Sequence, residues 1–210
     1  MHTEGSFQIA LIDEARHRHA NEFAAALASL HLLKAKMAVH DPLIDGAIGR
    51  LDNAVRLERH LLDCGTPDLY PAMLRLCTLL RLTRPNEPRF RLHFRDFPRI
   101  PNPSSMRLVL LVVYELLVNA TKHTSAEKTA IGVRLHVTES EIRLSISNPV
   151  DGLSARPNSS RGGLAIARSV SSELGGDVSL RHYGRRLIAT ASFPFLLDSR
   201  NGSGEQASAG

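Results

Sequence analysis

The chain has no tryptophan, and aromatic residues make up only 5% of it, so packing falls to Leu and Ala. Cysteine is nearly as scarce. Cys64 and Cys77 have no CxxC spacing, fall in apolar helical patterns and read as reduced core thiols of a cytosolic protein. No Lys/Arg block exceeds two residues, which argues against a dedicated nucleic-acid patch despite a net charge of +5. That charge fits a nucleotide, an anionic surface or an acidic partner protein. The longest strictly apolar run, Leu108 to Val113, is far short of the roughly 20 residues a membrane span needs. No signal-peptide pattern opens the sequence. His31, His40, His60, His93, His136 and His182 show no metal-ligand spacing, and no nucleophile elbow supports a Ser/His/Asp triad.

What the chain does have is 210 residues, 43% of them hydrophobic, enough for one large domain or two small ones. Residues 7–38 carry a helical stripe of Ile9, Ile12, Ala20, Phe23, Leu27 and Leu30. Asp41 then caps, and Pro42 opens, a second helix to about Leu62. These two helices make a hairpin over residues 1–65 whose stripe is expected to pair with a copy of itself. A helix at 68–82 leads to a Pro-rich stretch holding an edge-like strand, with Arg89, Arg91 and Arg95 as its solvated face. Next come a helix at 104–123, strands at 129–138 and 141–148, a helix at 163–174, and strands at 177–182 and 186–195. The expected fold is α+β: the hairpin, then an α/β sandwich over 66–198 with helices on one face of a mixed sheet, then a disordered polar tail, 199–210.

Polar residues interrupt the helix "MRLVLLVVYELLVNATKHT" at chosen places. Glu115, Asn119 and Lys122 share one face, at i, i+4 and i+7. An Asn carbonyl suits Mg²⁺, a Lys suits phosphate, and a Glu can orient water. A polar seam on a core helix is the plainer reading. Further on, Gly162 and Gly163 open a helix that Gly175 and Gly176 close as a C-terminal cap. Free N–H groups at such a start bind phosphate, and Arg161 adds charge.

In this order, "ELLVNATKH", a β-hairpin and "RGGLAIARSV…ELGG" resemble the ATP-binding domain of histidine kinases, in the wider GHKL ATPase family. The resemblance covers about residues 100–195. It implies a Mg²⁺ role for Asn119, supporting roles for Glu115, Lys122 and His123, and phosphate contact by Gly162 and Gly163. The family's Asp-x-Gly-x-Gly segment, whose Asp accepts from the adenine amino group, departs here. Asn148 stands in the Asp position, and of the two glycines only Gly152 remains.

The first helix holds Glu14, His17, Arg18 and Asn21 in the pattern Glu-x-x-His-Arg-x-x-Asn. This resembles the phosphoacceptor motif of the HisKA_2 and HWE-like histidine kinases. On a helical wheel His19 is expected to be partly covered and His17 to lie on the exposed flank. Glu14 is placed to hold one His17 ring nitrogen. The resemblance implies that His17 takes the phosphoryl group and that His19 is structural. It points to a cytosolic, homodimeric kinase core using ATP and Mg²⁺, with a response-regulator receiver domain as partner. Few residues precede the motif, so the stimulus is expected from a separate sensor protein. The alternative is a dimeric histidine phosphotransfer protein with a relic ATPase domain that binds no nucleotide.

Overall fold

The computed structural model describes residues 3–37, 41–84, 88–100, 102–124, 130–138, 140–150 and 162–194. Ten elements follow one another: α1 (Thr3–Met37), α2 (Pro42–Leu62), α3 (Leu69–Thr83), β1 (Phe90–Phe94), α4 (Pro103–Lys122), β2 (Ile131–Val137), β3 (Glu141–Pro149), α5 (Gly163–Glu173), β4 (Asp177–Tyr183) and β5 (Arg186–Pro194). The boundaries follow local chemistry. Asp41 Oδ1 accepts from the Leu43 amide at 2.8 Å, and Pro42 has no amide hydrogen to strand at the first turn of α2. Asn102 does the same for α4 by accepting from the Ser104 and Ser105 amides, with Pro103 at the first turn.

The five strands form one mixed sheet, ordered β1-β2-β3-β5-β4. Only β1 and β2 run parallel. The strand expected to be edge-like is therefore an edge. Period-2 alternation turns Ile131, Val133 and Leu135 of β2 inward, with Ile142, Leu144 and Ile146 of β3 and Leu187, Ala189, Ala191 and Phe193 of β5. Helices α3, α4 and α5 cover this face and share a single core with it. Each fully buried Leu, Ile or Phe stabilises by about 1.5–3 kcal/mol. By length and apolarity α4 is the one described helix that resembles a membrane span, but its apolar sides are spent inside the core.

The hairpin packs differently from its expected stripe. Ala20 and Leu27 are buried, whereas Phe23 and Leu30 stay 42% and 40% exposed. Leu27, Ile48 and Val55 make a small cluster between α1 and α2. At the other end, Leu57 and Leu61 of α2, with Ile12 of α1, join the main core. Cys77 is buried, which pushes its thiol up to about 12. Cys64 is only half-buried, because it lies just beyond the end of α2, where its thiol meets the Thr66 carbonyl at 3.1 Å.

His60 ties α2 to α3. It is 2% exposed, and its Nε2 lies 2.8 Å from the Ala72 carbonyl. That contact makes Nε2 the protonated nitrogen, and Nδ1 is buried with no partner among the described residues. Burial lowers the pKa of His60, so the folded protein favours the neutral ring. The contribution is present above the unfolded-state value, about 6.5, and is lost as pH falls through it. The unfolding free energy from urea titrations should fall between pH 7.5 and 5.5, by at most about 1.4 kcal/mol per pH unit from this one group. His60→Gln should flatten that slope; an unchanged slope would remove His60 from the account.

Candidate nucleotide site

Three candidate groups share one face of α4, and the first of them, Glu115, reaches the start of α5. On α4, Glu115 and Asn119 are half-buried and Lys122 is exposed near the C-terminus. The Asn119 side chain makes no hydrogen bond among the described residues, so its carbonyl is available to a ligand. His123, exposed, is the C-cap and donates its amide to the Asn119 carbonyl at 3.2 Å. Burial raises the pKa of Glu115, while Arg16 and Lys122 pull it down. Lys122 is thus electrostatically coupled to Glu115, as a shared helix face requires.

The other wall is the start of α5. Gly162 is its N-cap, with φ +95°, a region that L side chains rarely adopt. Among the described residues no side-chain hydrogen bond caps this terminus, leaving amides that suit an anion. Gly163, the first helical residue, meets α4 closely: a Cβ there would lie 2.2 Å from Glu115 Oε2. Two motifs far apart in sequence are thereby in direct contact. At the far end of α5, Gly175 (φ +74°) and Gly176 close the helix by donating to the Ser172 and Ser171 carbonyls at 3.0 and 2.8 Å.

Asn148 sits on β3 opposite Leu187, on the inward side of the strand, and is 2% exposed. Its amide donates to the Pro149 carbonyl at 3.4 Å. Gly152 and Arg161 lie outside the described residues, as does the tail 199–210.

The residues expected to form a phosphoacceptor motif are exposed along α1. His17, Arg18, Asn21 and Glu14 all face solvent. So does His19, contrary to its expected partial cover: its ring stands 6.4 Å from that of Phe23, itself exposed. Glu14 does not hold His17 here; its carboxylate faces Arg18 at 3.7 Å, one turn along the helix. The sequence reading passed over Arg16, which pairs with Glu115 at 3.3 Å and brings α1 against the site. Only its place on the buried lane of α1, four residues before Ala20, signalled it.

A groove of about 590 Å³ lined by His93, Phe94, Arg95, Arg134, Leu135 and His136 lies along β1 and β2, and it contains none of these site residues.

Residues 105–200 match the family described as histidine kinase-, DNA gyrase B-, and HSP90-like ATPase. This part of the chain is similar to histidine kinase-like ATPase domains. No curated protein matches the chain. Among solved structures, one described as a bacterial phosphotransferase is 13% identical with a TM-score of 0.61, covering 88% of this chain and 96% of that one. The histidine kinase domain of the Erythrobacter litoralis EL346 blue-light activated histidine kinase is 16% identical with a TM-score of 0.52, covering 83% and 95%. Both similarities concern the fold, which spans the helical hairpin as well as the ATPase-like domain.

Proposed function

We propose that this protein is a two-component histidine kinase core of the HisKA_2/HWE-like type that is phosphorylated on His17 and passes the group to an Asp of a response-regulator receiver domain. The observation that carries the reading is the contact of Glu115 with Gly163, which joins the polar face of α4 to the uncapped start of α5. Two features support a fit to Mg·ATP: Asn119 has an uncommitted side-chain carbonyl for the metal, and Gly163, lacking a Cβ, lets the Glu115 carboxylate of α4 come up to the start of α5. Lys122 adds positive charge and Asn148 offers an acceptor to the adenine amino group. Mg·ATP, when bound, supplies the phosphoryl group. The chain's own contribution is positioning and charge neutralisation. His17, exposed on α1, is reachable by a receiver domain.

Phe23 and Leu30 of α1 and Ile44 of α2, exposed at 42%, 40% and 41%, give the hairpin an apolar surface to share with a second copy. A four-helix-bundle homodimer should scatter light as about twice 23.1 kDa. Phe23→Glu with Leu30→Glu should return it to a monomer, since an unpaired charge in that interface is costly. A wild-type monomer at micromolar concentration would refute the dimer.

A second reading is favoured by Asn148 and by the similarity to the bacterial phosphotransferase: a dimeric histidine phosphotransfer protein whose ATPase-like domain binds no nucleotide. Calorimetry separates the two. On the kinase reading, binding is Mg²⁺-dependent and selects ATP over GTP, whose ring carries a carbonyl in place of the amino group. Asn148→Asp should tighten it about tenfold, since a hydrogen bond to a charged acceptor contributes about 1.5–3 kcal/mol against roughly 1 for a neutral one. Asn119→Ala should lose the Mg²⁺ dependence. If none of the three proteins binds ATP at millimolar concentration while a phosphorylated receiver still labels His17, the phosphotransfer reading stands.

A further inference from the structure

Helix α1 meets the rest of the chain along a lane at helical spacing: Ile12, Arg16, Ala20, Ala24 and Leu27. Four of the five are apolar. The fifth is a guanidinium that touches three residues on two other helices. Arg16 Nη1 donates to Glu58 Oε2 of α2 at 2.9 Å, and Nη2 donates to Glu115 Oε1 of α4 at 3.3 Å. Its Cζ lies 5.1 Å from the Tyr114 ring centroid, within cation–π range. The three charged side chains are 15%, 18% and 12% exposed. Removing two carboxylates and a guanidinium from water is costly, and an apolar residue would fill the same lane more cheaply. What the guanidinium adds is geometry. Its planar fork fixes two carboxylates at once and so fixes the rotation of α1 about its own axis.

That rotation matters because of the next residue. His17 lies roughly 100° around the helix from Arg16 and is exposed. With the fork engaged, the turn of α1 nearest Glu115 and Gly163 presents Arg16 to them and His17 to solvent.

We propose that Arg16 is a positioning residue: its clasp on Glu58 and Glu115 docks the phosphoacceptor helix on the ATPase-like domain and holds His17 out of the nucleotide site of its own chain. This rests on the assignments of His17 and of the site made above. The clasp also answers why Glu58 and Glu115 tolerate each other. Without Arg16 they are two poorly solvated carboxylates of like charge across one junction.

The test uses the full chain, with Arg16→Met keeping the stem and removing the fork, and Glu58→Gln as a milder variant on another helix. Hydrogen exchange reads the docking without any nucleotide. Amides of residues 10–24 should exchange about tenfold faster in Arg16→Met and less so in Glu58→Gln, with α3 and the sheet unchanged. Unchanged exchange of residues 10–24 in both variants overturns the clasp. Phosphate label on His17 reads the positioning. Label from a phosphorylated receiver should be unaltered, because that approach is from solvent. Label from Mg·ATP should rise about fivefold in Arg16→Met. Faster exchange with a fall in ATP-derived label alone also overturns the proposal, since the docked helix would then be the productive one. If neither wild type nor variants take label from ATP, the kinase reading fails and hydrogen exchange alone decides the clasp.

Discussion

His17→Ala protein is expected to retain no acid-labile, alkali-stable phosphate, whether the donor is Mg·ATP or a phosphorylated receiver domain, while His19→Ala keeps most of it. Both rings are exposed, so accessibility in the single chain does not choose between them. Their positions on α1 do. They flank the buried lane on opposite sides, each roughly a quarter turn from its centre. On the His19 side lie Phe23 and Leu30, the apolar surface assigned to the second copy, and the His19 ring already leans toward Phe23. A residue on that side would be covered in the proposed dimer and closed to a receiver. His17 has Asn21 one turn on and no apolar neighbour competing for its face. Removing a nucleophile from a group-transfer reaction leaves nothing for the phosphoryl group to bond to, so the expected loss is complete rather than partial. Undiminished label in the His17 variant, or its disappearance in the His19 variant, would sink the assignment.

The largest expected effect on stability lies at the far end of the ATPase-like domain. Gly176→Ala should lower the melting temperature by roughly 6–12 °C, from a cost of about 3 kcal/mol at 2–4 °C each for a chain of this size. A Cβ at Gly176 would lie 1.9 Å from the Ser192 carbonyl oxygen of β5 and 3.2 Å from the Ser171 hydroxyl. The first neighbour is backbone in the middle of a paired strand and cannot swing aside. The same residue donates the hydrogen bond that ends α5, so relief by moving the chain breaks the cap. Gly49→Ala serves as the contrast. It lies exposed inside α2 with nothing within 4 Å of its added Cβ. There Ala should stabilise by about 0.5–1 kcal/mol, because glycine loses more backbone freedom on folding. Two scanning-calorimetry traces compare the sites, and a Gly176→Ala trace overlying wild type would overturn the steric argument.

Much of this molecule was legible from local chemistry. Strand alternation is a period-2 signal, and it located β2, β3, β4 and β5 within a residue or two. The helix starting at Pro42 was readable because Asp41 and Pro42 act on their own neighbours. The glycine pair at the end of α5 was readable for the same reason. The polar face of α4 was visible as well, since i, i+4 and i+7 spacing is a property of any helix. Less legible was what each face touches. A wheel drawn for α1 places Phe23 and Leu30 on its apolar stripe, yet they stay exposed while Arg16 lies half-buried between them and Ala20. Apolarity says which residues gain from burial, not which partner arrives. The same limit explains Cys64, which lies two residues beyond the end of α2 and is only half-buried.

By itself, then, the sequence determined the elements, their order and the α+β class, and it supplied the candidates proposed here to meet a nucleotide or carry a phosphoryl group. These rest on interactions within a few residues: periodicity, caps, turn glycines and motif spacing. Only the tertiary structure decided that Glu115 touches Gly163, that Asn148 faces the core at the end of β3, and that Arg16 rather than a histidine faces the site. Each of these joins residues distant in the chain. Their meeting is set by the packing of a whole helix or sheet, in which a single side chain has little say. Arg16 is the clearest instance: a charge that an isolated helix would turn to water is half-buried because two carboxylates from other helices meet it there.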